Sequence, residues 1–504
     1  MSLNELARQA LLGTRNDAGR APATGHPDAE SLAARLMVQG APGATLLRQA
    51  ALLTLAARAG YVPERPNLPP AEPCPEDARP VLPERAATIV QRVLSGFLPQ
   101  LAGPLLDETT RRGLRLPAGL LPALLELGRK AEHRERVPVV ACRKAYWLAA
   151  QNSDWRYLAD PDRAEPVFET GGPSERRMAL RALRKADAGA ARESLAKGWS
   201  QEPPNERAGL IEALEEGLSD ADEDFLENAL NDRRKEVRKA AAALLARLPD
   251  SRLVARMRDR LRPCLKFKKS LLSTTLDVEL PADCDQAMAR DGIEKKNNIY
   301  GLGERAAWLA QMLACVPPSE WCREFGLSEA KLLKLFRSHE FSAALDYGLA
   351  SAMANFRDCG LARTWLESAL ERNDARPEIF NRVVWVLQGS EHLPALAMHA
   401  LRRDHDAELE TFLRLSPTPW TDALGKACLQ VWRDPAWQRR QAPYGSRLRA
   451  YLSLAQVHLP PWPEYTLGWD TLANELHPAV RQAVDEFIQA MELRIQFNQA
   501  LETP

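Results

Sequence analysis

The chain has 504 residues, 67 basic against 67 acidic, with 45% apolar and only 6% aromatic content. That balance removes any whole-molecule argument for attraction to nucleic acid or membrane, and no apolar run reaches membrane-spanning length. The opening MSLNELARQALLGTRND lacks a basic segment followed by an apolar core, so the expected compartment is the cytoplasm.

Taken in order, the expected segments are N-terminal helices over 1–60 and a proline-rich linker over 61–83. A helical segment over 84–170 and a repeat block over 171–263 follow. A β-hairpin-like insertion over 264–282 then leads into a tryptophan-rich helical array over 283–504. Helices are expected over 1–15, closed by Gly13, then over 28–39 and 43–59. Eight of the 24 residues from Gly60 to Pro83 are proline, which forbids helix and favours an extended connector. Helices resume at Glu84, with one around Leu120–Lys130 and another from Pro138 to Ala150, where Pro138 suits a first turn. Tyr146, Trp147 and Trp155 read as packing residues at helix ends; a base-stacking platform is the rarer use of such rings.

Residues 222–262 carry the clearest pattern. Phe225, Leu226, Ala229 and Leu230 fall at helical spacing, as do Val237, Ala241, Leu244, Leu245 and Leu248. The short polar joint Asn231-Asp232-Arg233 folds the two helices back antiparallel. A shift of 31 residues superposes Arg176, Arg207 and Arg238, and likewise Leu183, Leu214 and Leu245. A pair of helices that cannot bury both stripes alone needs neighbours of its own kind. The block Leu230-Asn231-Asp232 with Val237-Arg238 and Ala240-Ala241 resembles the HEAT repeat, although Lys235 stands where that family has its turn proline. The resemblance implies an all-α fold, a HEAT-like α-solenoid of helical hairpins.

Beyond the block, Leu276, Val278 and Leu280 alternate with Asp277 and Glu279, the mark of a half-buried strand. A helix is expected from Glu304, ended by Pro317 and Pro318. More follow near 328–337, 340–355, 360–371, 376–387, 392–403 and 406–415, then two after Pro419. The last opens at Pro478 with Val480, Val484, Phe487, Ile488, Met491 and Ile495 on one stripe. Nine of the 12 tryptophans lie beyond residue 300, so the C-terminal half is expected to have the bulkier core.

Charge is unevenly placed along the block. Residues 202–232 hold 11 acidic side chains and one basic, whereas 233–269 hold 14 basic and three acidic. Arg252, Arg256 and Arg260 recur every four residues opposite the Leu253/Met257/Leu261 stripe. With Arg238, Lys266 and Lys268 they form the candidate surface for an acidic partner or for phosphates. The alternative is that neighbouring helices of opposite sign neutralise each other.

No catalytic constellation stands out. The cysteines at 74, 142, 264, 284, 315, 322, 359 and 428 form no Cys-x-x-Cys pair and read as reduced, mostly buried thiols. His392, His399 and His405 are spaced six to seven apart, poor for ligands on one helix face. Gly301-x-Gly303 lacks the strand, third glycine and Lys-Ser/Thr of a phosphate loop, and reads as a tight turn into a helix. Glu304 and Arg305 are expected to orient that turn or to form an interior ion pair. No metal and no cofactor are implied.

Several phrases together resemble a bacterial family built on a domain of unknown function. They are Ala10-Leu11-Leu12-Gly13-Thr14-Arg15, Trp147-Leu148-Ala149-Ala150-Gln151-Asn152 with Asp154-Trp155, Arg290-Asp291-Gly292-Ile293, and Gly301-Leu302-Gly303-Glu304-Arg305 with Trp308, Gln311, Pro317 and Trp321. Proteins of that kind are described beside MoxR-type AAA+ ATPases, von Willebrand A-domain (VWA) proteins and SWIM zinc-finger proteins. The resemblance implies an accessory subunit of an ATPase-centred assembly and assigns no reaction. The expected function is therefore a non-enzymatic protein-interaction scaffold. The alternative is a nucleic-acid-binding solenoid, like HEAT-like DNA glycosylases, using the basic 233–269 block.

Overall fold

The structure, a computed structural model, describes residues 7–8, 10–11, 31–32, 34–35, 42–59, 77–155, 157–158, 164–269, 274–296, 299, 301–372, 376–403, 405–440, 446–469 and 478–502. The chain divides into two units, Met1–Pro73 and Cys74–Pro504. In the first, α1 (Pro42–Ala59) is the long described helix. The short helical pieces at 7–11 and 31–35 fall within two expected helices, most of whose length, with the Gly13 cap, lies outside the described residues.

Among the described residues the second unit is all-α apart from one hairpin. Its first helices are α2 (Glu84–Leu94), α3 (Ala102–Arg111), α4 (Leu121–Leu127), α5 (Arg136–Val140) and α6 (Arg143–Gln151). The single helix expected from Pro138 to Ala150 is thus two. Ala141 and Cys142 turn extended between them, and the freed Val140 carbonyl accepts from the Leu116 amide at 3.0 Å. The expected linker over 61–83 lies outside the described residues as far as Glu76, but its last part is no free connector. Leu82 N–H donates to Arg115 O, Arg115 N–H to Pro80 O, and Arg79 Nη2 to Ala141 O at 2.6 Å.

The repeat block supplies α7 (Ala164–Thr170), α8 (Pro173–Ala186), α9 (Ala188–Gly198), α10 (Arg207–Ala213), α11 (Glu223–Ala229), α12 (Lys235–Leu245) and α13 (Arg252–Leu261). Short polar side chains start α9 and α13: the Asp187 carboxylate accepts from Ala190 N–H at 2.9 Å and the Ser251 hydroxyl from Val254 N–H at 3.3 Å. Each satisfies a donor that the helix cannot pair by itself. Strands β1 (Leu265–Lys269) and β2 (Thr274–Val278) pair antiparallel, Phe267 opposite Leu276, at the place the alternating pattern marks. Phe267 stacks on Phe325 with ring centroids 4.2 Å apart, pinning the hairpin to the array.

The remaining helices are α14 (Gln286–Arg290), α15 (Glu304–Leu313), α16 (Pro318–Phe325), α17 (Glu329–Arg337), α18 (Ser342–Phe356), α19 (Cys359–Arg372), α20 (Pro377–Val386), α21 (His392–Arg402), α22 (Asp406–Leu415), α23 (Asp422–Trp432), α24 (Pro435–Arg440), α25 (Ser446–His458) and α26 (Pro478–Glu502). Pro318 does not merely end α15; it opens α16, since a missing N–H is harmless in a first turn. Two helices are expected beyond Pro419; among the described residues four stand there, α23 to α26.

Packing runs stepwise. α8 lies on α10 and α10 on α12; α13 lies on α15, then α15 on α18, α18 on α20, α20 on α22, α22 on α25 and α25 on α26. Beside them α17 lies on α19, α19 on α21 and α21 on α23. A close approach falls at Gly348 of α18, where a Cβ would meet Ala310 O and Leu313 Cβ at 2.8 Å, so α18 presses its backbone onto α15. The C-terminal half contributes Trp321, Trp420, Trp432 and Trp469 to the largest fully buried side chains.

α26 has two apolar faces rather than one. Val480, Val484, Phe487 and Met491 enter the core shared by residues 164–491. Ala490, Leu493, Phe497 and Ala500 enter a second core made with α2–α6. The last helix therefore packs against α2, joining the two ends of this unit. Buried Arg494 donates to Gln456 O at 2.9 Å and Leu459 O at 2.7 Å, closing the carbonyl end of α25 where a cation is favoured.

Candidate interaction surface and its ion pairs

The 31-residue recurrence has a physical counterpart at the turns. Arg176 donates to Glu202 at 2.5 Å and Glu206 at 3.2 Å, and Arg207 to Asp232 at 2.8 Å. Each of these arginines thus holds the acidic turn that follows its own hairpin. Arg238 departs from this and instead caps carbonyls of its preceding turn, Asp232 O and Arg233 O.

The candidate cationic ridge on α13 is answered by carboxylates. Arg252 bonds Glu223 at 3.0 Å and Asp224 at 2.5 Å. Arg256 bonds Glu227 and Asp291, both at 2.8 Å. Arg260 reaches Asp291 at 2.8 Å. The acidic α11 and the basic α13 therefore neutralise one another, with Asp291 as a second counter-charge. Lys266 and Lys268 lie on the hairpin and meet Glu279 at 2.7 Å and Asp277 at 3.4 Å. These two pairs are exposed and contribute little.

Asp291 is the hub of the arrangement. Its carboxylate is 1% exposed and takes Arg256, Arg260 and Arg290, while Arg290 also reaches Asn231 Oδ1 at 2.9 Å. Burial disfavours ionising this carboxyl, yet the hydrogen bonds from Arg256 and Arg260 outweigh it and hold the group below the usual aspartate range. Gly292 follows at φ +89°, and a Cβ there would stand 2.5 Å from Ala242 Cβ of α12. A left-handed residue pressed against a helix leaves room for glycine alone, which explains the Asp-Gly pair.

The second quoted phrase fixes the same region. Gly301 turns at φ +78° and Gly303 precedes α15 as its cap residue. Glu304 and Arg305 are exposed and form no interior ion pair. Arg305 instead donates to Pro281 O and Leu280 O, both at 2.6 Å, clasping the exit of β2. Trp308 Nε1 donates to Lys295 O at 3.0 Å, and Gln311 Oε1 accepts from Glu294 N–H at 2.8 Å. These residues hold the 280–295 segment onto α15. Of the other two aromatic candidates, Trp155 donates from Nε1 to Glu126 at 2.7 Å, whereas Trp147 is 43% exposed and is not a packing residue.

One strong interaction escaped the sequence. Arg184 and Asp222 are both fully buried and meet bidentately at 2.8 and 2.9 Å. The three remaining Arg184 hydrogens serve four carbonyls, Glu216 O, Ala188 O, Leu214 O and Gly217 O, with Nη2 sharing its hydrogens among three acceptors. Asp222 also accepts from Ser219 N–H at 3.0 Å, so it caps the turn into α11 as well. The partners lie 38 residues apart and do not share the 31-residue register, so only the Ser219-x-x-Asp222 cap could have drawn the eye.

Burial pushes the thiols of Cys315 and Cys428 up to about 12, far from a reactive thiolate. Among the described residues no group of three His, Cys, Asp or Glu is placed to hold a metal. Nor is any described helix long and apolar enough to cross a membrane.

Fold and site together define an all-α protein of layered helices locked by internal ion pairs. The chain belongs to the DUF5691 family, a family of unknown function, whose model matches residues 5–501. No curated protein and no solved structure matches it.

Proposed function

We propose that the helices form a HEAT-like α-solenoid and that the protein is a cytoplasmic, non-enzymatic interaction scaffold, an accessory subunit in a bacterial ATPase-centred assembly. The observation that carries this reading is the stepwise packing, each helix on the next but one over much of the second unit. An array of this kind presents an extended face built from successive helices. Support also comes from Trp385, 56% exposed on α20, one turn from Arg382, whose guanidinium lies 4.7 Å over the Tyr347 ring. Tryptophan, tyrosine and arginine together are the residues that anchor protein interfaces.

The partner of choice is a MoxR-type ATPase or a VWA-domain protein. Co-expression with each, followed by size-exclusion chromatography and calorimetry, tests this. Stoichiometric co-elution with a Kd of about 1 μM or tighter, weakened at least tenfold by Trp385→Ala, is the expected result. Separate elution from both would remove the assembly role. The nucleic-acid reading is disfavoured because Arg252, Arg256 and Arg260 already hold carboxylates.

A further inference from the structure

Arg433, at the end of α23, differs from the other half-buried arginines. Its Nη2 donates to Tyr465 O at 2.8 Å and its guanidinium lies 5.1 Å over the Trp469 ring. Its Nε–H is closed off from solvent without a hydrogen-bond partner, and no described carboxylate pairs with it. Burial alone pulls its pKa down, but a guanidinium keeps its proton at neutral pH, so the charge stays and lacks an answer.

This residue lines a pocket of about 590 Å³ together with Lys426, Leu429, Gln430, Glu464 and Tyr465. The other lining cation already has partners. Lys426 is held by Asp422 at 2.9 Å and Glu464 at 3.4 Å, and neighbouring Asp434 accepts from Ala436 N–H at 2.8 Å, capping α24. Arg433 is thus the lining cation without a described carboxylate partner, and Leu429 and Tyr465 stand beside it as an apolar wall. Trp462 stacks on Tyr465 at 5.6 Å and is 43% exposed, extending that wall outward.

We infer that this pocket binds a monocarboxylate carrying an apolar body, the acid group on Arg433 and the body against Leu429, Tyr465 and Trp462. A planar guanidinium matches a carboxylate, and Glu464 with Asp434 at the wall repels a doubly charged phosphate. The same chemistry comes from a free small acid or from the C-terminus of a partner polypeptide.

The test is ligand-observed NMR and thermal shift on the full chain with 3-phenylpropionate, 3-phenylpropionamide, and a tripeptide ending in phenylalanine as free acid and as amide. Binding of an acid with a Kd of about 1 mM or tighter, at least tenfold weaker for its amide, supports the inference. Response to 3-phenylpropionate points to a free acid; response to the peptide acid alone points to a partner's terminus. Arg433→Met should abolish the acid's stabilising shift and Arg433→Lys retain part of it. Equal response to acid and amide, or none from any probe at about 10 mM, overturns it, and that comparison stands on the native protein even where a variant folds poorly.

Discussion

Asp222→Ala is expected to lower the unfolding free energy by about 3–5 kcal/mol, the usual cost of stranding one member of a buried ion pair. Arg184 and Asp222 are both wholly shielded, so the guanidinium left behind has neither water nor counter-charge. The cap on Ser219 N–H goes with the carboxylate. Arg184→Met combined with Asp222→Leu should be less damaging than Asp222→Ala alone, since an apolar pair carries no unanswered charge. It will not be neutral, because Glu216, Leu214, Gly217 and Ala188 lose the donor for their carbonyls. Urea midpoints of the three variants check this; a single variant within about 1 kcal/mol of the native chain would show that the pair is not buried as described.

Asp291→Asn is expected to cost about 2–4 kcal/mol. The discount from a wholly buried pair reflects arginines that stay 22–35% exposed. The substitution leaves Arg256 and Arg290 sharing Glu227 and takes from Arg260 its described carboxylate partner. The pH dependence follows from the lowered pKa of Asp291. The unfolded chain takes up this proton first on acidification, so the stabilisation is complete above the ordinary aspartate pKa, about 3.9. It is lost as pH falls through the lower folded value. Thermal melting from about pH 5 down to pH 2 should fall less steeply for Asp291→Asn than for the native chain. Parallel curves would contradict the assignment.

How far these features can be read from the sequence depends on the range of the interaction. Local signals are legible: the Gly301-x-Gly303 turn into α15, the period-2 alternation around Leu276 and Val278, and the proline that opens α26 all act within a few residues. Pro317 and Pro318 were read as a stop because a proline ends one helix and begins another by the same missing donor, which hid α16. The second face of α26 was invisible because Leu493 and Phe497 have meaning only beside α2–α6, hundreds of residues earlier. The electrostatics failed for the same reason. Arg252, Arg256 and Arg260 do form a ridge on their own helix, but their partners on α11 and at Asp291 lie 28–35 residues away, and only the fold brings them together. The Asp-Gly pair at 291–292 was visible as a phrase; its work as a counter-charge pressed against α12 was not.

The central claim is that the arginine ridge of α13 (Arg252, Arg256 and Arg260) is held by the protein's own carboxylates rather than offered to phosphates. Titrating salt against a fluorescent 30-base-pair duplex tests it most directly. The account predicts no saturable binding at about 50 mM salt and micromolar protein. Binding that tightens steeply as salt falls, with the slope of several released counterions and loss on Arg252→Glu with Arg256→Glu, would contradict it.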